Sequence, residues 1–223
     1  MRAALTVLRK DLRLELRTLE SVPAMALFSL SIFVIFHFAL GRAAIDGQLA
    51  GGVLVTTLLL AAVLGTNRLF AAEREQGGFE AFLLAPVDRS ALLLGKAAAL
   101  FIFLVTLELV AVPAFSLLLL GPSLGRALPG LVAVLVLTDI AFAVVGTLVS
   151  ALASATRARE LVAPIVGLPM LIVPLIAAAR GAAPLFASAT NGSPPAKWLA
   201  ILALYDVVFA LLAYAVFDFL LED

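Results

Sequence analysis

Three acidic residues, Glu108, Asp139 and Asp206, fall near the middle of long apolar runs. An ionisable group at membrane depth costs at least about a few kcal/mol, so it faces protein or water and is a functional candidate by default. Such carboxyls must be protonated, hydrated, hydrogen-bonded to neighbouring helices or paired with another subunit. Two roles stay open for them: lining a translocation path or polar gate, and buried hydrogen bonding that fixes helix packing. Asp139 shares one helical face with Ala143, Gly146, Ser150 and Ser154, small residues that allow close approach of another helix. Asp206 shares a face with Ala210 and Ala213 in the same way. An aspartic dyad of Asp139 and Asp206 would be enzymatic, but nothing in the sequence brings the two together. One histidine, His37, and no cysteine leave almost nothing for metal or thiol chemistry. Neither HExxH nor GxSxG occurs, so metalloprotease and serine-histidine mechanisms are disfavoured. The one Gly-Lys pair, Gly95-Lys96, is followed by Ala97 and preceded at the P-loop spacing by Ser90, so the chain has no ATP site of its own.

The elements that must position these residues follow from composition. Of 223 residues, 64% are apolar and 13% charged, with a mean hydropathy of +1.17, which excludes an ordinary soluble domain. A bilayer core needs roughly 20 apolar helical residues per crossing. Six stretches qualify, at 22–40, 49–66, 97–120, 130–155, 161–179 and 198–221, and none contains Lys or Arg. The expected fold is therefore an all-α integral membrane protein, one transmembrane domain spanning 1–223. Fifteen bases balance fifteen acids, so no bulk attraction to nucleic acid is implied. Sorted by position, 11 of the bases fall on the side of the N-terminal segment and 4 on the other, which places both termini in the cytoplasm. The first span reads as a permanent anchor rather than a cleaved signal.

Residues 1–21 form an amphipathic helix. Leu5, Leu8, Leu12, Leu16 and Leu19 fall within about 80° of one another, with Arg9, Lys10, Arg13 and Arg17 off that stripe. Such a helix lies in the membrane interface, leucines down and bases near lipid phosphates, or docks on a partner. Pro23 is expected to turn the chain into the first span. Three prolines, Pro164, Pro169 and Pro174, mark the fifth span as bent or broken. The long loop 67–96 reads as helix, Gly77-Gly78 break and short apolar helix ended by Pro86. Its Phe79, Phe82, Leu83 and Leu84 suit docking into a groove on a soluble partner.

The run Arg68-Leu69-Phe70, Glu73, Gly77-Gly78, Glu80, Leu83, Pro86 and Lys96 resembles the cytoplasmic loop of the heme exporter protein B family (CcmB) of cytochrome c maturation. Thr156-Arg157-Ala158-Arg159-Glu160, the proline-spaced Leu168–Pro174 run, the chain length and the six-span layout are similar to that family too. The resemblance implies an ABC-2 exporter-like permease of the bacterial inner membrane that handles heme. It implies a CcmA-like ATPase, which binds the ATP, and CcmC-, CcmD- and CcmE-like partners. No cofactor would be bound directly, heme being cargo, and a second copy of the chain is a further candidate partner. Glu73, Glu75, Gly77, Gly78, Glu80 and Pro86 would then be the coupling segment seated on the ATPase. His37, flanked by Phe33, Phe36 and Phe38, could ligate heme iron. A lone interfacial histidine more often bonds to a neighbour. An ABC-2 exporter of a drug, lipid or polysaccharide shares the architecture, and a passive assembly subunit is a third reading.

Overall fold

The computed structural model describes residues 2–41, 44–68, 89–120, 124–154, 163–187 and 192–220, and every regular element among them is helical. We number seven α-helices: α1 Arg2–Thr18, α2 Ser21–Leu40, α3 Gly47–Arg68, α4 Arg89–Phe115, α5 Leu124–Ser154, α6 Leu168–Ala182 and α7 Ala196–Leu220. A wide π turn, Ser116–Leu120, extends α4, a second one, Ala163–Gly167, leads into α6, and a 3-10 turn, Ala183–Leu185, closes α6. Six helical stretches are long and apolar enough to cross a membrane, as the sequence predicts: α2, α3, α4 with its π turn, α5, α6 together with its flanking turns (Ile165–Leu185), and α7. α4 packs against α1, α2 and α5, and α5 packs against α4, α6 and α7, so these two form the spine of the bundle. Leu100, Leu104 and Leu107 of α4 and Leu131, Val134 and Phe142 of α5 are buried along it. Since lipid is as apolar as leucine, close packing and polar joints hold such helices together rather than transfer out of water.

Three local expectations change. The corner between α1 and α2 is made before Pro23, by Leu19, whose φ of 50° is left-handed and whose N–H donates to the Glu15 carbonyl at 2.7 Å. Pro23 lies in the first turn of α2, where a missing amide is tolerated. The third crossing begins at Ser90, not 97, because the helix runs unbroken through Lys96, and the longer helices also take in Arg126, Arg180 and Lys197, so four crossings each hold one base. In the fifth crossing, Pro169 sits in the first turn of α6 and only Pro174 is inside it. The prolines thus mark where the helix starts more than where it bends. Pro164 falls in the π turn.

Candidate functional site

The coupling residues expected from the sequence, Glu73, Glu75, Gly77, Gly78, Glu80 and Pro86, lie outside the described residues, as does the Thr156–Glu160 motif. The structure does describe where that loop ends. α4 emerges from it and within two turns crosses α1 so closely that a Cβ on Gly95 would sit 2.8 Å from Val7 Cβ and 2.9 Å from the Ala4 carbonyl oxygen. Only a glycine permits this crossing. It brings Lys96, 1% exposed, onto Asp11, 7% exposed, with Nζ 3.3 Å from Oδ1 and 3.1 Å from Oδ2. Lys10, half exposed, touches the same carboxylate at 3.1 Å.

One turn further along α1, Glu15 reaches the start of α2. Its Oε1 accepts from the Ser21 N–H at 2.9 Å and the Val22 N–H at 2.7 Å. The first amides of a helix have no intrahelical acceptor, and a carboxylate there also meets the positive end of the helix dipole. α2 is capped by a side chain from the preceding helix. Thus α1 has three sectors: Val7, Asp11 and Glu15 buried toward the bundle, exposed Leu5, Leu16 and Leu19, and exposed Arg9, Lys10, Arg13 and Arg17. The bases are exposed as expected, but Leu8 and Leu12 of the expected leucine stripe are half-buried against the core, and the buried acidic sector is a departure from the sequence expectation. Its signal was available, since Asp11 and Glu15 sit four apart on a sector holding neither leucines nor bases.

At mid-membrane the structure brings two of the three expected acids together. Glu108 of α4 and Asp139 of α5 share a side-chain hydrogen bond. An ionised carboxylate only accepts, so such a bond needs a proton on one partner. Their other oxygens, Glu108 Oε1 and Asp139 Oδ2, are buried with no hydrogen-bond partner among the described residues. The small-residue face expected of Asp139 is an interface: Ala143, Gly146 and Ser150 are all buried, and Ser150 Oγ donates to the Thr66 carbonyl of α3 at 2.9 Å. The Ser154 side chain lies outside the described residues. Asp206 does not join the pair. It is buried on α7 with both oxygens unpartnered among the described residues. Ala213 is buried with it, whereas Ala210 is exposed, so the face predicted for α7 is only half right.

At the opposite end from α1, the π turn after Pro113 leaves carbonyls at the terminus of α4 that no further helical turn can bond. Ile45 N–H donates to Leu119 O at 2.7 Å. His37 Nδ1 lies 2.6 Å from Leu118 O. A carbonyl oxygen only accepts, so Nδ1 carries the proton and Nε2 keeps its lone pair in the neutral ring. The bonding partner expected of a lone interfacial histidine is therefore a backbone cap.

A family model described as CcmB protein matches residues 2–220 of this chain. The chain is 32% identical to heme exporter protein B of Rhodobacter capsulatus over 171 residues, 76% of this chain and 78% of that protein. It is 30% identical to heme exporter protein B of Paracoccus denitrificans over 216 residues, 95% of this chain and 94% of that one.

Proposed function

Because the chain belongs to the CcmB family, we propose that it is the membrane permease subunit of an ABC-type machine that exports heme for c-type cytochrome assembly. ATP is bound and hydrolysed by a CcmA-like partner, consistent with a sequence that lacks a P-loop. CcmC-, CcmD- and CcmE-like proteins complete the assembly, heme is cargo rather than a resident cofactor, and the membrane is the bacterial inner membrane with both termini cytoplasmic. The distribution of Lys and Arg supports this sidedness. The contact of Asp11 with Lys96 agrees with it, since it sets the N-terminal segment and the end of loop 67–96 at one membrane face.

The observation that carries the mechanism is the pair of joints on α1. The ATPase docks on the segment 73–86. Closure of the ATPase displaces the start of α4, the Lys96–Asp11 pair carries that displacement to α1, and Glu15 carries it to the first amides of α2. Two spans thereby move with one loop. The Glu108–Asp139 bond joins α4 to α5 at mid-membrane, so the spine follows as a unit. In this reading the two acids serve as a polar joint between helices, and Asp206 remains the candidate for a polar wall of the cargo path.

Purification of the intact complex through a tag on this chain tests the proposal. An ATPase subunit is expected to copurify and to be lost when residues 73–86 are deleted. An ATPase that stays bound without that segment would contradict the coupling route.

A further inference from the structure

We infer that His37 presents Nε2 as an axial ligand for the iron of transiting heme, at the membrane face opposite α1. The inference rests on the permease reading, because it needs heme to reach this chain. Three observations carry it. The Nδ1–H bond to Leu118 O at 2.6 Å fixes the tautomer and the ring plane and leaves the lone pair on Nε2, which has no hydrogen-bond partner among the described residues. This is the arrangement found at metal-ligating histidines, whose other ring N–H donates to a carbonyl and so orients the ring and raises its basicity. The cap is itself held, because Ile45 straps the same π turn through Leu119 O and Phe33 packs on Phe115, the last residue of α4 before it, ring centroids 5.5 Å apart.

The surroundings have the right chemistry for a porphyrin. Phe38 meets the imidazole edge-on at 5.2 Å and is 77% exposed, and Leu117, beside the capped carbonyl, is 85% exposed. Val34, one turn before His37, is exposed as well. An apolar macrocycle can lie against these side chains within the membrane while its propionate edge stays at the headgroups, away from the buried acids of mid-span. Ligation forms one Fe–N bond and releases at most a weakly held axial water, so no electron changes hands. A single imidazole leaves the second axial position open. Cargo that must move on needs a site it can also leave.

A histidine that only caps α4 would have the same geometry, and His37→Gln separates the two roles. A glutamine amide N–H can still donate to Leu118 O, but it offers iron no imidazole. The full-length chain in lipid nanodiscs is titrated with hemin and followed by its Soret band, alongside the variant. Wild type is expected to bind saturably with a nitrogen-ligated spectrum. His37→Gln is expected to lose that spectrum and bind at least about tenfold more weakly at an unchanged thermal midpoint. A variant with wild-type spectrum and affinity overturns the inference, and so does a wild-type spectrum identical to that of hemin in protein-free nanodiscs. Restoration of c-type cytochromes in a strain lacking the chain is scored separately. Restored cytochromes without a His37-dependent spectrum sink the ligation alone, whereas unrestored cytochromes sink the permease reading beneath it.

Discussion

A proline inside a helix removes one amide donor and orphans the carbonyl four residues earlier. In α6 Pro174 does this to Met170, and Tyr205 of α7 supplies the missing donor, its hydroxyl 2.6 Å from Met170 O. The proline therefore creates the joint that pins α7 to α6. Tyr205→Phe is expected to cost about 1–3 kcal/mol, the penalty of an unmade buried hydrogen bond. In a Pro174→Ala background, where the helix can satisfy its own carbonyl, the same change is expected to cost clearly less. Denaturation of the four variants in detergent gives the cycle, and equal costs in both backgrounds would show that the joint has another origin. The mid-membrane pair allows a similar comparison. Asp139→Asn keeps a hydrogen-bonding group opposite Glu108 and is expected to assemble normally. Asp139→Leu leaves Glu108 facing an apolar side chain and is expected to lose about 1–3 kcal/mol in the same assay.

α1 is the element whose role changes most between sequence and structure. Its amphipathicity is legible because the leucines and bases repeat at the helical period. The acidic sector is legible too, but the partner it docks on is not, because Asp11 and Lys96 are far apart in sequence and nothing local marks them as a pair. The crossings are legible for the opposite reason: each is a continuous apolar run whose length the bilayer dictates. The meeting of Glu108 with Asp139 depends on how α4 and α5 rotate against each other, and periodicity alone does not specify that. Asp11→Asn deprives a Lys96 that is 1% exposed of its carboxylate and is expected to destabilise the protein by about 3 kcal/mol. The double variant with Lys96→Met is expected to cost less than the sum of the two singles, and strict additivity in thermal unfolding would remove the pair from the account. A cysteine-free chain makes the other faces easy to probe. A fluorophore on Leu16→Cys is expected to be quenched by lipid-borne quenchers and one on Arg13→Cys by aqueous ones. The reverse pattern would mean that α1 is not seated in the interface.

For the whole molecule, the two ends are built differently. At one end α1 ties the starts of α2 and α4 through charged groups, and at the other the π turn, His37 and Ile45 hold the finish of the same two spans through backbone caps. Under the proposed coupling, displacement entering at the start of α4 would be shared by both helices, the behaviour a permease needs if a remote ATPase is to move it. Sidedness can be read directly: in intact cells stripped of outer membrane, Ser193→Cys is expected to react with an impermeant maleimide and Arg13→Cys to be protected. The most direct test of the coupling account compares ATP turnover with cytochrome c maturation in the assembled complex carrying Glu15→Gln, which weakens the charged cap on α2. Unchanged assembly and ATP turnover are expected, with maturation reduced several-fold. Maturation that stays at the wild-type level, or that falls only in step with assembly, would contradict it.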